Sequence, residues 1–175
     1  MRLRLSIAMS PRDSFGADDA DLGRDLLVRL DRASLRGPPP PALLVVRDDA
    51  VWFVDLRGAL PHVRDMHAFM ASFAGMAETR VVGVIGGMRR RQEGAEPQPV
   101  AAVFLEWPDG RWWGAWRDLG ADGRPVATDS DDIQSARAGH ARPGGLGGWF
   151  SRARREQLRA ALEFHPRDAA RDLDN

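Results

Sequence analysis

The chain opens on an alternation. Leu3, Leu5, Ile7 and Met9 fall on one side, with Arg2, Arg4, Ser6 and Ala8 on the other. A period of two predicts a strand, and charge on one face suits a sheet edge. The period then lengthens. Asp18, Asp19 and Asp21 precede Leu22, Leu26, Leu30 and Ala33, which recur at helical steps with Leu27 widening the stripe. Acids at the start of such a pattern favour the positive end of a helix. Gly37 and the run Pro38, Pro39, Pro40, Pro41 end it, and the run reads as a rigid spacer rather than a polyproline ligand. Apolar residues 42–46 and 50–54 around Asp48 and Asp49 predict a hairpin. Pro61 suits a first helical turn, and Val63, Met66, Met70, Phe73 and Ala77 follow at steps of three and four. That stripe is the apolar face any sheet-covering helix needs.

The middle of the chain predicts three adjacent strands over residues 81–88, 100–107 and 111–117. Pro108, Asp109 and Gly110 make a tight turn between the last two. Gly83, Gly86 and Gly87 lie inside a strand pattern without the spacing of a phosphate-binding loop, and so mark a bulge or close backbone packing. Residues 120–148 have no sustained periodicity; residues 125–128 offer a short strand, and the rest reads as a flexible glycine-rich linker. Trp149 and Phe150 then open an amphipathic helix over 149–165, Pro166 ends it, and 166–175 form a polar tail.

These elements predict an α+β fold. An antiparallel sheet of about five to six strands is flanked by two to three helices, with a flexible glycine-rich segment before a C-terminal amphipathic helix. Residues 1–119 are expected to form the compact domain, joined by the linker to the tethered helix. From Asp18 onward the element order resembles that of roadblock-type platforms, in which helices flank a five-stranded antiparallel sheet. The resemblance is one of element order; those platforms carry no catalytic motif to transfer, and the long linker departs from their pattern.

Composition narrows the function classes. At 175 residues, 43% of them apolar, the chain suits one globular domain. Twenty-five basic and 25 acidic residues cancel, which removes the usual argument for a nucleic-acid or membrane-surface protein. No Cys is present, so disulfides and thiolate metal sites are excluded. Every basic residue is Arg, Lys and Tyr are absent, and Asn occurs only as Asn175; the usage fits a GC-rich bacterial genome. Neither a signal peptide nor a membrane span is read in the sequence, so a soluble cytoplasmic protein is expected.

Candidate chemistry is sparse. His62 and His67 stand five residues apart, about 140° round a helix, which is wrong for a shared metal. Asp65 is closer to His62, in a pairing more common as structure than as catalysis. Glu106 and Asp109 are two carboxylates at a strand end, but Asp109 has a role in the turn. No nucleophile has a convincing partner, and no catalytic, metal or cofactor residue is assigned. An enzyme is not favoured. The leading expectation is a non-catalytic protein-interaction or adaptor module with an unidentified protein partner. Its contacts would come from Trp112, Trp116, Trp149, Phe150, Arg154, Arg155, Leu158 and Leu162. The alternative is a nucleic-acid-binding accessory protein using Arg89, Arg90, Arg91 and the C-terminal arginines; an unrecognised enzyme comes third. An edge such as residues 2–9 also offers pairing with a second copy, a homodimer.

Overall fold

The structure is a computed structural model and describes residues 5–7, 19–48, 50–59, 65–90, 94, 96–126, 137–139 and 147–164. Its strands are β1 (Leu5–Ile7), β2 (Ala42–Arg47), β3 (Val51–Asp55), β4 (Thr79–Arg90), β5 (Gln98–Glu106), β6 (Trp112–Asp118) and β7 (Arg137–Gly139). The helices are α1 (Asp19–Ser34), the single turn α2 (Leu56–Ala59), α3 (Met66–Ala74) and α4 (Trp149–Phe164). All strands pair antiparallel in the order β1-β3-β2-β4-β5-β6-β7. Five strands form the body, β3 to β6 across the middle, and three-residue strands close each edge. The expected α+β architecture is therefore present.

Each face of the sheet carries its own core, because strand side chains alternate. On one face, Leu22, Leu26, Leu27 and Leu30 of α1 pack over Leu44, Val103, Leu105 and Trp113. This is the stripe that helical spacing predicts, except that Ala33 is exposed and Ser34 is buried instead. Asp31 of α1 meets Arg117 of β6 at 2.5 Å, and burial still pushes its carboxyl above the ordinary value, outweighing the guanidinium. On the other face, Met70, Ala71 and Ala74 of α3 lie with Trp149, Phe150 and Ala153 of α4 over Leu43, Val45, Val54, Val82 and Phe104. Residues 43–46 of β2 are buried without a break because both faces are covered there.

The proline run is a strand extension. Pro39 O accepts the Gly87 amide at 2.8 Å, continuing the pairing of β2 with β4 beyond Ala42. A Cβ on Gly86, whose φ is +133°, would overlap the carbonyl of Pro40. The two glycines thus serve close backbone packing, as their place in the strand pattern predicts.

One element differs from the periodic reading. The helix expected through Ala77 stops at Ala74: Gly75 still donates to Ala71 O, but Met76 donates only three residues back to Phe73 O, and Glu78 takes a left-handed φ of 62° to turn into β4. Its described start is Met66, where Asp65 accepts the Ala68 amide at 3.0 Å as N-cap. Near the predicted linker, Leu119 bridges Pro125 and residues 137–139 join the sheet edge. Residues 127–136 and 140–146 of that segment, and the tail from 165, lie outside the described residues. No helix among the described residues is long and apolar enough to cross a membrane.

Candidate partner-binding surface

Helix α4 is built from a buried start and an exposed end. Gly147 and Gly148 precede it with φ of +91° and +75°, conformations that glycine adopts without penalty. They bring the first turn onto Glu106 at the end of β5, whose Oε2 accepts the Trp149 amide at 3.1 Å. Glu106 is only 3% exposed. A carboxylate at this place satisfies one of the amides a helix start leaves open and lies against the positive end of the dipole. Trp149, 1% exposed, meets the Phe104 ring edge-to-face at 5.4 Å, and Trp112 stacks on the same ring at 5.9 Å. A cavity of about 140 Å³ remains beside them, lined by Phe104, Glu106, Gly110, Trp112, Gly147, Gly148 and Ser151.

The next two turns form a polar seam. Arg152 pairs with Asp65 at 2.8 Å and with Glu156 at 2.8 Å, Gln157 donates to Gly75 O at 3.0 Å, and Arg154 donates to Pro108 O. The Ala68 amide and then Arg152 hold the Asp65 carboxyl below its ordinary range. Glu156 and then Asp65 hold the Arg152 guanidinium above its own. These contacts fasten α4 to α3 and to the β5–β6 turn. Every residue from 154 to 160 is nevertheless exposed, Leu158 to 63%.

The expected contact residues divide between these two regimes. Trp149 and Phe150 are spent on the core, and Trp112 is half-buried beside Phe104. Trp116 is half-buried with the Arg90 guanidinium 5.2 Å from its ring centre. Arg154, Arg155 and Leu158 are exposed together on α4; the Leu162 side chain lies outside the described residues. Arg89 is exposed, while Arg90 is held by Trp116, by Gln98 at 3.0 Å and by Asp118 at 3.6 Å. Arg91 lies outside the described residues.

The candidate acids have structural partners. Asp109 accepts the Arg111 amide at 3.0 Å and its Nε at 2.5 Å, while Glu106 turns to α4. Asp65 caps α3. His67 is exposed, and His62 lies outside the described residues. Among the described residues no three His, Cys, Asp or Glu gather as a metal site. Sequence reasoning missed Glu106 as the cap of a helix 43 positions on and Gln157 as a seam residue; the Gly147–Gly148 pair before Trp149 was the one available signal. No protein family, curated protein or solved structure gives a match to the chain.

Proposed function

We propose that the protein is a non-catalytic interaction module that presents the distal half of α4 to a protein partner. One observation carries this reading: residues 154–160 are exposed without a break on a helix whose first turn is locked into the core. Helical structure there is propagated from an anchored nucleus, so the exposed turns need no packing of their own to persist. A preformed helix loses little conformational entropy on docking, which favours recognition of the helix-in-groove kind.

The test is capture from native lysate by full-length protein and by the variant Leu158→Glu. Leu158 touches neither core, so the substitution leaves folding intact while placing a charge on the proposed contact. Loss of a captured band in the variant is the expected result. Equal capture would move the interface off α4 and onto the sheet face that bears Trp116.

A further inference from the structure

We infer that the outer stripe of α4 docks into a protein groove whose apolar socket lies beside carboxylates. This rests on the reading that distal α4 is the docking element, and it adds the chemistry of the partner. Ala153 and Gln157 define the inner side of the helix, through the core and through Gly75. At 100° per residue, Arg155, Leu158 and Arg159 stand roughly 200°, 140° and 240° round from Ala153. They therefore share the side facing away from α3.

The charges of α4 are sorted between the two sides. Glu156 is taken up by Arg152, and Arg152 also by Asp65, so the seam is close to neutral. Among the described residues neither Arg155 nor Arg159 has an ion-pair or hydrogen-bond partner. The outer side thus carries a leucine, 63% exposed, along one flank of two guanidinium groups that have no partner among the described residues. Guanidinium forks match carboxylates bidentately, and a leucine beside them requires an apolar socket.

Two other acidic surfaces fit less well. Nucleic acid is held by neutralising many phosphates, and this stripe offers two cations on a chain of net charge zero. An anionic bilayer takes helices with a broad apolar face, whereas this side of α4 sets two arginines beside Leu158. A second copy of the same stripe would set arginine against arginine.

The experiment uses the full chain carrying the photo-crosslinker p-benzoylphenylalanine in place of Leu158, irradiated in lysate of the source cells, with the crosslinked segment read by mass spectrometry. It is repeated in the backgrounds Arg155→Glu/Arg159→Glu and Arg155→Lys/Arg159→Lys, each checked for an unchanged unfolding midpoint. The expected result has two parts, and both are required. The crosslinked protein segment carries Asp or Glu beside an apolar residue. Its yield falls about tenfold or more on charge reversal and falls less in the lysine pair, which keeps the charge and loses the fork. A yield undiminished by charge reversal, or a segment without carboxylates, overturns the partner chemistry and leaves the docking reading standing. Crosslinking to nucleic acid or lipid overturns the protein partner. No crosslink from this position overturns the docking reading itself.

Discussion

Gly23 shows how one missing methyl decides the packing of a helix. It sits in the second turn of α1, one residue after buried Leu22, and a Cβ there would overlap the six-membered ring of Trp113. Glycine costs about 1 kcal/mol of helix propensity relative to alanine. The ring offsets that cost by filling the space that the absent side chain leaves. Trp113 cannot step aside, because it belongs to β6, paired on both edges at this point, with Leu105 on one side and Ala138 on the other. Gly23→Ala therefore gains helix propensity and loses packing. Overpacking a close contact typically costs about 1–3 kcal/mol, so the variant is expected to be less stable than the parent by about 1 kcal/mol or somewhat more. Urea unfolding at constant m-value measures this. A more stable variant would show that α1 can lift off Trp113 without loss.

At the scale of elements, the periodic stretches were legible and the non-local partnerships were not. Leu22, Leu26 and Leu30 announced α1, and the runs at 81–88 and 100–107 announced β4 and β5, because burial on a regular element leaves its period in the sequence. The end of α3 was not legible: Met76 and Ala77 continue its spacing, but the chain tightens at Met76 and the positive φ of Glu78 turns it away. Nor was the anchoring of α4, since Glu106, Asp65 and Gly75 reach it from 43 to 87 positions away. Trp149 and Phe150 were expected among the partner contacts, and the fold buries them in the protein's own core instead. The separation has a measurable consequence. Trp149→Ala opens a cavity beside Phe104 and should cost about 3–5 kcal/mol. Leu158→Ala, on the same helix nine positions later, should stay within about 0.5 kcal/mol of the parent. Similar losses from the two would mean that the distal turns are packed as tightly as the first.

For the whole molecule, the question is whether residues 1–119 suffice. They contain α1 and the full set of long strands, so the core beneath α1 is complete within them. The opposite core is not. There α4 supplies Trp149, Phe150 and Ala153, and without them α3 alone, with three buried residues, would have to cover Leu43, Val45, Val54, Val82 and Phe104. Removing α4 also leaves the Glu106 carboxylate without the Trp149 amide, and strips Asp65 of Arg152. A buried carboxylate that loses a donor costs on the order of 1–3 kcal/mol, and exposing one large aromatic and its contacts costs about as much again or more. The sum approaches the whole stability of a domain this size, about 5–15 kcal/mol. A chain ending at Leu119 is therefore expected to lose its single cooperative transition in urea and to bind hydrophobic dye, while a chain ending at Phe164 keeps both the transition and the dark core. A cooperative transition in the shorter chain would show that α4 is an appendage, held to a domain that needs nothing from it.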